Sequence, residues 1–243
     1  MARSIFDPSA EGAFPVSRSK LELFLECPRC FWLDRRKGVG RPDDAYYSLN
    51  LAVDHLLKKE FDACRTDKRA HPVMHLHGIE AVPFAHPFLT TWRDTPQGVR
   101  YAHPASRIEL FGIVDDVWRA HDGKLHPVDY KATSAFGVPS LDTRHGYRRQ
   151  LDVYGWLLWK NGFDMAREGY VVFANADRER EGFDRALQFT LSIAMHTLDL
   201  GWIEDALLGV RECIDRDAPP PSTAGCAWCS YRRSCAEGEK SEP

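Results

Sequence analysis

Four cysteines at opposite ends of the sequence constrain the fold more than any other feature. Cys226, Cys229 and Cys235 form a C-x2-C-x5-C array just after three consecutive prolines. Thiolates spaced this closely in a short segment indicate metal ligation rather than a disulfide framework. The array leaves a fourth ligand position open, and Cys27, in a Glu-Cys-Pro-Arg sequence near the other end, is the best candidate for it. We therefore predict a metal centre that joins the N- and C-terminal segments.

A second set of four ligands can be drawn, because Cys30 makes a C-x2-C pair with Cys27. Cys27, Cys30, Cys226 and Cys229 would form a tetrahedral zinc site and would leave Cys235 out. Cysteine-only ligation suits zinc and iron–sulfur clusters alike. The spacing therefore leaves both the ligand set and the metal open.

Length and composition predict one globular domain. The 243 residues are 44% hydrophobic, which is enough to bury a core. The formal net charge of -3 excludes a uniformly basic nucleic-acid-binding surface, so a polyanion would need a local patch or metal ions. No apolar run has the length of a signal peptide or a membrane span. We expect a single cytoplasmic domain over residues 1–243, with no membrane contact and with reduced thiols.

The spacing of apolar residues predicts helices and strands in alternation. The first helix begins at a capping box, Ser19 to Glu22. The second helix should bury one apolar face against the core. The predicted helices continue over residues 49–61, 144–160 and 194–216, and the strands cover 108–118, 124–131, 169–174 and 187–192. This order suits an α/β fold with a mixed sheet flanked by helices. Residues 63–105 carry no clear signal.

The hairpin predicted around the turn Asp122-Gly123 carries a candidate catalytic group. Strand alternation places Asp129 and Lys131 on one face and sends Val128 and Tyr130 into the core. Antiparallel pairing across the turn brings Asp115 alongside Asp129. The two carboxylates would repel each other unless a divalent cation such as Mg²⁺ binds both, and a nearby ammonium can orient and help deprotonate an attacking water. The pattern indicates phosphodiester hydrolysis, with a surface ion pair as the alternative.

The helix that follows the hairpin adds polar residues to this group. Gln150 and Tyr154 are four residues apart and therefore share one face of the helix. Four basic residues crowd its start and could bind phosphates, or form an ordinary solvated helix end. They are Arg144, His145, Arg148 and Arg149.

These motifs, in this order, resemble the RecB-like branch of the PD-(D/E)XK superfamily. The matching motifs are Gly112-x-x-Asp115, Asp129-x-Lys131 and Gln150-x-x-x-Tyr154. The resemblance implies a restriction-endonuclease-like core, binding of Mg²⁺ or Mn²⁺ by the two aspartates, assistance to the nucleophile by the lysine, and DNA contact by the Gln-Tyr pair together with Arg148 and Arg149. It also implies a histidine ligand on an early helix. His55 matches that ligand, although Leu51 replaces the usual glycine and Asp54 is the alternative.

The cysteines extend the resemblance to the iron–sulfur nuclease domain of the AddB helicase–nuclease subunit and to the CRISPR-associated RecB-like exonucleases. It implies a 4Fe-4S cluster on Cys27, Cys226, Cys229 and Cys235, held by a subregion of residues 17–36 and 222–237. It further implies an exonuclease on single-stranded DNA. Because no P-loop occurs, the chain would need a partner to unwind duplexes, and the resemblance implies helicase or CRISPR adaptation partners. The competing hypothesis is a non-catalytic nucleic-acid-binding or scaffold module.

Overall fold

The structure, a computed structural model, describes residues 5–42, 48–143 and 146–239. Its helices are α1 (Arg18–Glu26), α2 (Pro28–Lys37), α3 (Ser48–Thr66), α4 (Pro72–Leu76), α5 (Leu89–Arg93), α6 (Gly146–Lys160), α7 (Ile203–Asp215) and α8 (Ala227–Glu239). Its strands are β1 (Phe14–Ser17), β2 (Ala81–Pro83), β3 (Val99–His103), β4 (Ile108–Gly112), β5 (Asp116–Ala120), β6 (Leu125–Thr133), β7 (Glu168–Ala176) and β8 (Phe189–Thr197). The predicted α/β class is confirmed.

The chain divides into two compact units. The first takes residues 1–45, 101–111 and 201–243, and the second takes residues 46–100 and 112–200. The division into units does not test whether residues 1–243 form a single domain, which stays a prediction. None of the helices in the described ranges is both long and apolar enough to cross a membrane.

The second unit is built on a five-stranded mixed sheet in the order β2-β5-β6-β7-β8. β6 and β7 are parallel, whereas the other neighbouring strands are antiparallel. β5 and β6 form the predicted hairpin, and Gly123 in its turn has a φ of 89°, a left-handed conformation that favours glycine. The hairpin and its register are therefore as the sequence predicted.

One face of this sheet packs against α3. Phe61 on the helix is fully buried and stacks on Trp118 of β5, with ring centroids 5.6 Å apart. Val128 and Tyr130 of β6 lie in the same cluster, as strand alternation predicted. Burial of each such large side chain stabilises the fold by roughly 1.5–3 kcal/mol.

The burial of α3 is narrower than the sequence predicted. The helix extends beyond the predicted 49–61, and Val53, Leu57 and Phe61 are buried. Leu49 and Leu56, which were expected on the same buried face, are exposed. Burial along the helix follows positions 53, 57 and 61, which are four residues apart, and leaves these two neighbouring leucines in solvent.

The predicted strand over residues 108–118 is wrong in one respect, because it is two strands in different sheets. β4 ends at Gly112 and β5 begins at Asp116. Between them, the Val114 amide donates to the Trp92 carbonyl at 3.1 Å, and the Arg93 side chain donates to the Asp115 carbonyl at 2.7 Å. The backbone there binds α5 instead of a neighbouring strand.

Two helix starts also need correction. The long final helix predicted from residue 194 begins at Ile203, because residues 194–197 continue β8 and pair with β7. The N-cap of α1 is Ser17, whose hydroxyl accepts from the Lys20 amide at 3.3 Å, and not Ser19. In the first case pairing along a whole strand overrides the apolar spacing that indicated a helix.

The first unit combines α1, α2, α7 and α8 with a three-stranded sheet in the order β1-β4-β3. Phe24 of α1 and Phe31 of α2 pack edge to face, with ring centroids 5.5 Å apart. The Trp32 indole donates to the Arg216 carbonyl at 3.0 Å and ties α2 to the end of α7. These contacts hold the segments before and after Cys27 in fixed positions.

Candidate functional site

Asp115 and Asp129 lie together at one end of the β5–β6 hairpin. Asp116 pairs with Val128, so Asp115 follows in the register opposite Asp129. The Asp115 carboxylate accepts a hydrogen bond of 3.0 Å from the Tyr130 amide, one residue beyond Asp129. Asp129 is only 1% exposed. The structure therefore brings the two predicted carboxylates together, Asp115 just before β5 and Asp129 within the neighbouring strand β6.

Two lysines neutralise these carboxylates. Lys131 forms an ion pair with Asp129, on the strand face where the sequence placed both. Lys58 of α3 lies 2.8 Å from Asp115 and 2.8 Å from Asp54. Burial opposes ionisation of Asp115, but Lys58 and Lys131 outweigh it and hold the pKa of Asp115 below its ordinary value. Asp115 is therefore a carboxylate at neutral pH.

The donor chemistry of this group fits a divalent cation. Mg²⁺ and Mn²⁺ prefer carboxylate oxygens and are often bound through only one or two carboxylates. Asp115 and Asp129 supply oxygens at one site, where Lys58 pairs with Asp115 and Lys131 pairs with Asp129. A divalent metal ion could therefore bind these carboxylate oxygens in place of a lysine ammonium group.

Gln150 and Tyr154 of α6 are fixed to Asp129. The Gln150 side-chain amide donates to the Asp129 carboxylate and to the Tyr154 hydroxyl, both at 2.6 Å. Both side chains are buried. Gly112 leaves room for this arrangement, because a Cβ there would lie 2.9 Å from the Tyr154 ring. The predicted pair therefore orients one of the two candidate metal ligands.

The basic residues at the start of α6 are only partly described. Arg144 and His145 lie outside the described residues. Arg148 forms an ion pair of 2.8 Å with Asp142. Arg149 is partly exposed. Phosphate binding by Arg148 and Arg149 stays a prediction, and in this structure the charge of Arg148 is shared with an acidic neighbour.

Of the two candidate ligands on α3, Asp54 is the one linked to the carboxylate site. His55 is exposed on the helix. Asp54 shares Lys58 with Asp115, as described above. Lys58 itself was missed by the sequence reasoning, although its spacing of four residues from Asp54 is the signal of a helical ion pair.

A buried charge network behind the site was also missed. Asp116 is fully buried, accepts a 2.7 Å hydrogen bond from the Tyr130 hydroxyl, and pairs with Arg65 and Arg93. Arg93 also donates to the Asp115 carbonyl. Burial and the neighbouring Asp116 raise the pKa of Tyr130 well above its ordinary value, so its hydroxyl stays a donor. The network fixes the backbone that carries Asp115.

Four cysteines meet in the first unit. The sulfurs of Cys27, Cys30, Cys226 and Cys229 all lie within 4.8 Å of one another. Cys30 is 3.7 Å from Cys226 and 3.5 Å from Cys229, and Cys27 is 3.8 Å from Cys229. Cys235 is exposed on α8 and outside this group. The group joins the N- and C-terminal segments, as predicted. Its fourth member is Cys30, whereas the resemblance implied Cys235.

The environment of Cys27 favours its thiolate. Burial opposes ionisation, but hydrogen bonds from the amides of Cys30 and Thr223 and from neighbouring thiols lower the pKa of Cys27 to about 6. Burial instead raises the pKa of Cys30 and Cys229. Buried thiols gathered in this way need a cation to ionise together.

The spacing of the four sulfurs can be compared with known metal geometry. Four thiolates around one tetrahedral zinc ion at about 2.3 Å would stand about 3.8 Å apart. Three of the six sulfur–sulfur distances are 3.5–3.8 Å and match that value, and all six are within 4.8 Å. The residues present therefore fit a single tetrahedral ion.

Solved structures of other proteins include distant matches to this chain. The crystal structure of a protein named SSO0001 matches over 94% of this chain and 89% of that chain, with 16% sequence identity and a TM-score of 0.41. No curated protein matches the sequence significantly.

A family model gives the assignment. The model of the PD-(D/E)XK nuclease superfamily matches residues 47–236, which include the whole carboxylate site. Members of this superfamily are generally hydrolases that cut nucleic acids with divalent metals. The resemblance seen in the motifs is confirmed at this level, while the RecB-like branch and the iron–sulfur subtype stay predictions. The chain belongs to the PD-(D/E)XK nuclease superfamily.

Proposed function

We propose that this protein is a metal-dependent deoxyribonuclease that cuts single-stranded DNA from an end. The observation that carries the nuclease assignment is the joining of Asp115, Asp129, Lys131 and Gln150 in one hydrogen-bonded and ion-paired group. A surface ion pair would not require a buried Asp129 with a glutamine fixed to it. The end-directed, single-strand preference rests on the resemblance of the motifs to RecB-like exonucleases.

Each residue has a separate task in this proposal. Asp115 and Asp129 would hold Mg²⁺ or Mn²⁺, which when bound lowers the pKa of a water and offsets phosphate charge. Lys131, next to Asp129, would orient the attacking water and stabilise negative charge on the phosphate oxygens. Gln150 keeps the Asp129 carboxylate in one orientation, with Tyr154 as its second partner. Arg148 and Arg149 would contact the DNA backbone.

The test is degradation of end-labelled single-stranded DNA in Mn²⁺ or Mg²⁺. Lys131→Ala and Asp129→Ala should each lower the rate by about 100-fold or more while DNA binding persists. Lys124→Ala is the matched control, because Lys124 is a partly exposed lysine on the same hairpin and pairs with Asp122 outside the site. Its rate should equal that of the unmodified protein.

A circular single strand separates the modes of cutting. An exonuclease leaves the circle intact and degrades the linear strand, whereas an endonuclease opens both. Binding of DNA without cleavage of either substrate, in any divalent metal, would support the non-catalytic binding module and contradict the enzyme.

We further propose that the cysteine group holds a structural metal. The motif resemblance implies a 4Fe-4S cluster on a set that includes Cys235, whereas the sulfur spacing favours one zinc ion on a set that includes Cys30. Iron–sulfur protein absorbs broadly near about 400 nm, and zinc protein is colourless. Metal analysis together with this absorption decides between them.

A further inference from the structure

Phe136 stands in solvent directly after the strand that carries Lys131. It is 72% exposed, on the segment 134–138 that follows β6. The Arg178 guanidinium lies 3.3 Å from the centre of its ring, which is stacking distance. A single exposed phenylalanine needs no explanation by itself. A guanidinium stacked on it makes a flat, cationic surface.

The backbone around Phe136 is held in place by side chains from the end of β7. The Asn175 side chain accepts from the Ala135 amide at 2.8 Å and donates to the carbonyls of Ala135 and Gly137 at 3.2 and 3.1 Å. Arg178 donates to the Ser134 carbonyl at 3.2 Å. Both sides of Phe136 are therefore anchored. An aromatic ring ordered in advance loses little entropy on binding a ligand.

This segment follows the carboxyl end of β6, the strand that carries Asp129 and Lys131. β6 and β7 are parallel, and Thr133 pairs with Asn175 where both strands end. In open α/β sheets, ligands bind outside the carboxyl ends of parallel strands. Five residues separate Lys131 from Phe136, so at most about 18 Å of chain lies between them. The exposed ring is thus within reach of a strand bound at the carboxylate site.

We propose that Phe136 and Arg178 form a stacking platform for a nucleobase of the single-stranded DNA that the carboxylate site cuts. Every base has a flat aromatic face, so such a platform holds a strand without reading its sequence. Arg178 covers one side of the ring and adds positive charge for the phosphates. The inference rests on the proposed function, because it takes the substrate of that site as its ligand.

The test measures binding of a labelled oligothymidylate in an Asp129→Ala background, which keeps the strand intact. Phe136→Ala should weaken binding by about 5- to 150-fold, the range that corresponds to loss of one base stack. Phe136→Trp should retain binding. Val138→Ala is the matched control, because Val138 is 82% exposed on the same segment but has no ring. It should bind as tightly as the background protein.

A second measurement separates stacking from a general effect on the surface. An abasic nucleotide is moved along the oligomer one position at a time. At one position, the missing base should weaken binding to the background protein but not to Phe136→Ala, because Phe136→Ala has already lost the ring on which that base stacks. Equal binding by Phe136→Ala and the background protein, equal losses at every abasic position in both, or no binding at all would overturn the platform.

Cleavage by the unmodified protein keeps this outcome distinct from that of the proposed function. If the protein degrades single-stranded DNA and Phe136→Ala binds and degrades it equally well, the platform alone is wrong. If the unmodified protein degrades no nucleic acid in Mg²⁺ or Mn²⁺, the proposed function is wrong.

Discussion

The carboxylate site and the cysteine group solve the problem of buried negative charge in opposite ways. At the carboxylate site, Lys58 and Lys131 supply the compensating charge from the chain itself. In the cysteine group, burial raises the pKa of Cys30 and Cys229. The first site can therefore form without metal, whereas the second needs a metal to bring four thiolates together. Metal should act on catalysis at one site and on folding at the other.

Removal of a thiol from the cysteine group should have the largest effect. Structural zinc sites contribute about 10–16 kcal/mol of apparent binding free energy, which becomes folding free energy. We expect Cys27→Ser to lose its metal and to expose residues 17–36 and 222–237 to proteases, as measured by metal analysis and limited proteolysis. Cys30→Ser should do the same.

Cys235→Ser is the control that decides the ligand set. With a single tetrahedral ion on the four clustered sulfurs, this variant keeps its metal and its resistance to proteases. If Cys235→Ser loses metal and Cys30→Ser keeps it, the set implied by the resemblance to iron–sulfur nucleases is the correct one.

The next largest effect should come from the charge network behind the carboxylate site. Asp116→Asn removes the buried charge that Arg65 and Arg93 share, and loss of one partner from a buried ion pair costs about 3–5 kcal/mol. Asp62 still pairs with both arginines, so we expect about 3 kcal/mol in urea unfolding.

Tyr130→Phe provides the scale for this measurement. It removes one hydrogen bond to the charged Asp116 and should cost about 1.5 kcal/mol. An Asp116→Asn variant as stable as Tyr130→Phe would show that the chain does not depend on this charge, and the proposed contrast between the two sites would weaken.

Loss of the glutamine that orients Asp129 should affect catalysis more than folding. Groups that hydrogen-bond to a metal ligand typically contribute 10- to 100-fold in metal affinity or activity. Gln150→Ala should therefore raise the Mn²⁺ concentration at half-maximal rate or lower the rate by about that factor. Gln150→Glu, which repels Asp129, should be worse. Variants with unchanged rate and unchanged metal dependence would contradict an orienting role.

The sequence predicted those parts of the site that follow from local periodicity. Alternation along β6 placed Asp129 with Lys131, and the turn at Gly123 set the register opposite Asp115. Helical spacing joined Gln150 to Tyr154. In each case the relevant contact lies within one strand, one hairpin or one helix, where backbone geometry fixes the side-chain directions.

Contacts between distant segments could not be predicted in this way. Asp116 meets Arg65 and Arg93 across segments whose pattern gave no clear element. The break between β4 and β5 depends on hydrogen bonds to α5, which the run of β-forming residues does not show. Cys30 and Cys235 both have suitable spacing, and only packing of α2 and α8 separates them. The unpredicted features are thus those decided by tertiary structure.

The smallest expected effect tests whether Lys58 stands in for a metal. Its ammonium lies 2.8 Å from both Asp54 and Asp115, so a divalent ion at Asp115 must compete with it. Lys58→Met removes that competitor and leaves the carboxylates more negative. An ion pair of about 1 kcal/mol corresponds to about a fivefold lower Mn²⁺ concentration at half-maximal rate.

The metal-free Lys58→Met variant should be less stable and should gain more stability from Mn²⁺ than the unmodified protein does. Lys59→Met, at the exposed neighbouring position on α3, should leave both measurements unchanged. A higher Mn²⁺ requirement in Lys58→Met would mean that Lys58 supports metal binding instead of competing with it. The lysine would then not replace the metal ion at the carboxylates, and the proposed contrast with the cysteine group would fail.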